Sequence, residues 1–120
     1  MTAACLKLLS EAECPIWPWL RNRRQLLVEA FPAAQLRHWG LPHEAYNRQT
    51  ENDSEVRCSI VTSLSARIDL GDFRKTLEKS ADAIDAVVCT FAAQAVVAGR
   101  ILSHAEDSMD AEGLIAVANF

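Results

Sequence analysis

Paired cysteines, long apolar runs and an excess of positive charge are all missing from this 120-residue sequence, and each absence removes a class of function. The four cysteines, Cys5, Cys14, Cys58 and Cys89, form no C-x-x-C pair, and His38, His43 and His104 are equally scattered. That spacing does not resemble a zinc ribbon and is better read as reduced thiols, with Cys89 buried in a helix. No apolar stretch reaches the length of a membrane span, and the N-terminus shows no basic region leading into a signal-peptide core, so the expected location is the cytoplasm. With a net charge of −4 and a pI near 5.3, broad attraction to polyanions is not expected; nucleic acid would have to be met by a local basic patch or through metal ions.

What is present is an ordinary globular composition, half hydrophobic and 23% charged, in a chain long enough for one domain spanning residues 1–120. The longest helical pattern covers residues 80–99. Ser80 suits an N-cap and Gly99 a C-terminal left-handed position. Between Ala86 and Ala98 only Thr90 and Gln94 are polar, which predicts a helix buried on more than one side. Two acids sit near its start. At roughly 100° per residue Asp82 projects on the stripe of Ala86, Cys89 and Ala93, and Asp85 on that of Val88, Ala92 and Val96. Asp82 in the first turn fits the positive end of the helix dipole as well as it fits a metal ligand. Asp85 lies a turn deeper, and a carboxylate over small apolar residues needs a partner, for which a cation is one candidate.

Upstream, residues 2–13 have the spacing of an amphipathic helix, and the segment Cys14 to Leu20, with Pro15, Pro18, Trp17 and Trp19, reads as an aromatic turn. The two tryptophans suit a core lid or a stacking platform. Arg21, Arg23 and Arg24 form the one basic cluster where a phosphate contact is expected, and a solvated loop accounts for them equally well. Residues 25–31 read as an interior strand closed by Pro32 and interrupted by Glu29, an acid that must reach solvent, an arginine or a cleft. A short helix over 32–40 follows. A connector to residue 47 comes next, with an extended piece at 44–47, and a helix capped by Asp53 or Ser54 runs to about Arg67. Residues 68–79 read as a loop with a short helical turn, 100–104 as a continuation or fraying of the long helix, and 114–117 as a closing strand.

Three carboxylates thus stand on two elements expected to be buried. Side by side they would repel unless divalent metal neutralised them, which is the logic of two-metal phosphodiester hydrolysis with ions roughly 4 Å apart. Glu-Ala-Phe-Pro-Ala-Ala at 29–34, then Leu36, Arg37 and Gly40-Leu41, Asp-Ala-Ile-Asp-Ala at 82–86 and Glu-Gly-Leu-Ile-Ala-Val at 112–117 resemble the C-terminal half of the uncharacterised-domain family 429. Its members are described as predicted nucleases with a ribonuclease H-like fold, and the Asp-x-x-Asp helix is similar to the last catalytic helix of Holliday-junction resolvases.

The resemblance implies an α/β fold, an incomplete ribonuclease H-like domain with about four helices and one to three strands that lacks the N-terminal β-hairpin. Glu29, Asp82 and Asp85 would be its catalytic, metal-binding residues for Mg²⁺ or Mn²⁺. Such folds carry a further aspartate on a first strand that this sequence does not show. The expected function is a divalent-metal-dependent nuclease-like domain, incomplete alone; the alternative is a catalytically inactive module that binds or inhibits a protein partner. An unpaired edge on the 25–31 strand would call for a second copy or a partner chain to supply strands, so a homodimer is expected.

Overall fold

Two glycines and two hydroxyl side chains set the helix boundaries in the computed structural model, which describes residues 7, 10, 11, 27–48, 50–102 and 115–119. Four α-helices are defined among these: α1 (Pro32–His38), α2 (Glu51–Ser65), α3 (Arg74–Lys79) and α4 (Ala81–Val97), with a 3₁₀ turn at Gly71–Phe73 before α3. The described residues are mostly helical and contain no extended strand. Among them no helix is long and apolar enough to cross a membrane.

Helices α1 and α4 end in the same way. Gly40 takes φ 69° and Gly99 φ 66°, values that only glycine adopts without strain. The chain therefore folds back so that the amide of Leu41 reaches the Leu36 carbonyl at 2.9 Å and the amide of Arg100 reaches Ala95 at 2.8 Å. Shorter-range bonds from Gly40 to Arg37 and from Gly99 to Val96 complete two Schellman motifs.

At the other ends, Ser80 closes α3 and caps α4 at once. Its extended backbone turns the corner, its amide bonds to Thr76 and Leu77, and its hydroxyl accepts from the Ala83 amide. The N-cap of α2 lies three residues before Asp53 and four before Ser54, the two caps expected. Thr50 is the N-cap and Asp53 is the third helical residue, the two exchanging side-chain and backbone bonds in a capping box.

The chain divides into two compact units, residues 30–102 with 116–120, and residues 1–29 with 103–115. In the first, α2 packs on α3, α3 on α4 and α1 on α4. Leu36, Ile60, Val61, Leu64, Ile84 and Val88 are almost wholly removed from water, each contributing about 1.5–3 kcal/mol by burial. Trp39, just beyond α1, meets Phe91 of α4 edge-to-face at 5.3 Å, and the Arg67 guanidinium lies 4.7 Å over its ring.

Three short backbone segments close this unit. Ala116 bridges Ala30 in parallel and Ala118 bridges Ile101 antiparallel, with Leu102 donating to Val117 and Asn119 to Arg100. The Gln35 side chain fastens the middle segment, its Nε2 donating to the Ala118 carbonyl at 3.1 Å and its Oε1 accepting from the Ala118 amide at 2.6 Å. The expected strands at 25–31 and 114–117 are thus represented, among the described residues, by single bridges at Leu27, Ala30 and Ala116. Residues 100–102 pair in this closure instead of prolonging α4, because Gly99 has already reversed the chain.

Of the second unit the described residues are 7, 10, 11, 27–29 and 115. Lys7, Ser10 and Glu11 are helical, as the pattern over 2–13 predicts, and Lys7 pairs with Glu11 at 3.8 Å.

Candidate functional site

The expectation that α4 is buried on several sides is corrected by its outer face. Ile84, Val88, Phe91, Ala92 and Ala95 are buried, whereas Ala86, Thr90, Ala93, Gln94 and Val97 are exposed. Alanine made the sequence read as apolar all round, but a methyl group is tolerated in water. This face decides the fate of the two acids. Asp82 shares its stripe with Ala86 and Ala93 and is exposed; Asp85 shares its stripe with Val88 and Ala92 and is half-buried.

Asp85 meets the partner that its burial requires in the loop between α1 and α2. The Tyr46 hydroxyl donates to Asp85 Oδ1 at 2.7 Å, and Tyr46 itself is buried. Burial raises the Asp85 carboxyl above its ordinary value, the Tyr46 bond pulls it back, and the Asp82 charge pushes it up again. Burial and the same bond hold the Tyr46 phenol above its usual value. The Cys89 thiol, one turn along α4 and half-buried, is raised by burial and by Asp85.

Tyr46 is aimed by an unusual backbone. The expected extended piece at 44–47 is a series of bends in which Ala45 takes φ 61°, a left-handed conformation that strains a residue with a Cβ by about 1–2 kcal/mol. Arg57 of α2 fixes the far side of the bend. Its side chain is buried, with Nη1 donating to the carbonyls of Tyr46 at 2.9 Å and Arg48 at 2.8 Å, and Nε donating to Glu78 at 3.0 Å. One guanidinium therefore ties the loop to the end of α3.

Two cavities flank this arrangement. One of about 460 Å³ has Asp85 and Tyr46 in its wall with Phe31, His43, Glu44 and Arg48. His43 Nε2 lies 3.9 Å from Glu44 Oε1. The other, about 200 Å³, is lined by Arg48, Arg57, Lys79, Ser80, Ala81 and Asp82, together with Asn47. Asn47 and Arg48 border both.

The helix acids thus stand one in each of two adjoining pockets. Glu29 is exposed and belongs to the other unit, and Arg21, Arg23 and Arg24 lie outside the described residues, as do Trp17 and Trp19. Among the described residues no three of histidine, cysteine, aspartate and glutamate gather closely enough to hold a metal ion. Tyr46, Arg48 and Arg57 did not stand out in the sequence. Tyr46 is the one tyrosine in the chain, yet no periodicity marks a loop residue that reaches a helix 39 positions away.

Residues 2–110 match the model of a family described as "Protein of unknown function (DUF429)". The match takes in residues upstream of Glu29 and stops short of the 112–117 segment. No curated protein and no solved structure matches the chain.

Proposed function

Since the chain belongs to this family, whose model spans most of its length, we propose that it is a divalent-metal-dependent nuclease-like domain acting on nucleic acid and incomplete alone. One observation carries the reading: Asp85, half-buried and oriented by the Tyr46 hydroxyl, stands one helical turn from Asp82 at the junction of two cavities. A carboxylate that accepts a hydrogen bond on one oxygen keeps the other for a cation, and such supporting bonds are how ligands of a metal are aimed. Magnesium is commonly held by one or two carboxylates, with water and substrate oxygens filling the remaining positions, so a pair of aspartates suffices on this chain. Bound there, the ion would supply Lewis-acid stabilisation at a phosphodiester. Asp82 and Asp85 would hold it, and Tyr46 would fix the Asp85 rotamer.

The wider reading is a ribonuclease H-like half-domain. In it the arginines at 21, 23 and 24 would contact nucleic acid, and a second copy or another chain would add further strands. Calorimetric titration with Mn²⁺ or Mg²⁺ tests it. Heat of binding is expected from the wild type and a marked weakening from Asp85→Ala; no binding by the wild type overturns the metal reading. A nicking assay on branched and single-stranded DNA then tests turnover.

A second reading is a catalytically inactive module that binds a protein partner. It predicts the same fold stability with no metal heat.

A further inference from the structure

Beside the acid pocket lies one of opposite character. Arg48, Arg57 and Lys79 bring three positive charges to the 200 Å³ cavity at the start of α4, against the single carboxylate of Asp82. We propose that this cavity binds a phosphate group. The inference deepens the phosphodiester reading by naming the group recognised, and it rests on that reading only for what the rest of the ligand is.

Three independent features converge there. The first is the set of backbone amides. Of the four that open α4, the Ala83 amide is taken by the Ser80 hydroxyl and the Ile84 amide by the Ser80 carbonyl, both at 3.3 Å. Ala81 and Asp82 are residues of the cavity wall, and their amides are left without an intrahelical acceptor at the positive end of a 17-residue helix.

The second is Arg57. More than nine-tenths of it is buried, its Nε and Nη1 are spent on three carbonyls, and among the described residues its Nη2 makes no hydrogen bond and no carboxylate lies within ion-pair distance. Its charge also acts on the Asp53 carboxylate without forming an ion pair, so a guanidinium hydrogen-bonded only to carbonyls keeps a donor for an anion at the wall that it forms. The third is size. About 200 Å³ is less than the roughly 300 Å³ at which pockets begin to take whole drug-sized ligands, whereas the adjoining 460 Å³ falls inside that range. The small cavity fits a charged group and the larger one the organic body attached to it, with Arg48 between them.

The test uses amide ¹⁵N–¹H spectra of the full chain in the presence of a metal chelator, so that it stands whether or not a metal binds. The probes are inorganic phosphate, a nucleoside 5′-monophosphate, the matching unphosphorylated nucleoside, and a short single-stranded oligonucleotide. Phosphate and the monophosphate are expected to shift the Ala81 and Asp82 amides, and the nucleoside to leave them unmoved. Arg48→Gln and Lys79→Gln, both at exposed side chains, are expected to weaken the monophosphate about tenfold each. Asp82→Asn is expected to tighten it without metal, since a like charge is removed. Tighter binding of the oligonucleotide assigns the site to a nucleic-acid backbone, and tighter binding of the monophosphate to a free nucleotide. Silence of both amides at millimolar phosphate, equal shifts with the nucleoside, or indifference to both glutamine substitutions overturns the proposal.

Discussion

The Tyr46 hydroxyl stands 2.7 Å from Asp85 Oδ1 and joins a bent loop to the first turns of α4 across 39 residues of sequence. It is the bond on which the half-buried acid depends, and its removal has two readable consequences. Tyr46→Phe is expected to lose about 1–3 kcal/mol of stability in urea denaturation, since a partly buried acceptor is left without its donor. In the same variant the Asp85 carboxyl, followed by NMR, is expected to titrate at higher pH than in the wild type, because the bond that lowers its pKa is gone. An unchanged midpoint would show that the bond is not made in solution.

The two perturbed aspartates bend the pH profile in opposite directions. Asp85 has a raised pKa in the fold, so the native state binds more protons than the unfolded chain above the ordinary value of 3.8. Stability therefore falls as pH rises from there through the raised value. Asp53 is lowered, first by the Thr50 hydroxyl and then by the Thr50 amide and by Arg48 and Arg57, so its contribution is lost as pH falls below 3.8. Asp85→Asn is expected to be more stable than the wild type near neutrality and to converge with it below pH 3.8. Thermal melts across that range check both limbs.

Gln35 replaces a missing strand neighbour. Its amide satisfies both the N–H and the C=O of Ala118, and both residues are almost wholly buried. Gln35→Ala leaves two backbone groups unpaired and is expected to be destabilised by about 3 kcal/mol. Amide hydrogen exchange at Ala118 is expected to accelerate in the variant, while the core of α2 keeps its protection relative to the global stability.

At Ala45 the loop carries a Cβ where glycine would be at ease. Ala45→Gly is expected to raise stability by about 1 kcal/mol, and Ala45→Val to lower it by more than that. If the strained bend serves to aim Tyr46, the glycine variant will also show faster relaxation of the Tyr46 ring.

Helix α4 was legible to the residue in its caps, because Ser80 and Gly99 act through backbone conformations that sequence encodes directly. Its exposed face was not, because alanine carries no signal of side. The cap of α2 lies three or four residues before the expected Asp53 or Ser54 although Thr50 and Asp53 spell the capping box, since Asp53 and Ser54 are good caps by themselves and local rules alone do not choose among the three. Of the site, that Asp82 and Asp85 stand one turn apart on α4 and that Asp85 needs a partner followed from helical spacing. That the partner is a tyrosine from a loop, and that a buried arginine holds the loop, depends on tertiary contacts with no periodicity.

The pairing of Gln35 with Ala118 spans 83 residues, so joining the two segments removes about 4 kcal/mol of chain entropy beyond a constant term. The contacts of α2 with α3 and of α3 with α4 join neighbours in sequence and form at far smaller entropic loss. Folding is thus expected to run from the helical corner outward, with the Ala116–Ala118 segment docking last, so that substitutions at Gln35 speed unfolding and leave the folding rate nearly unchanged.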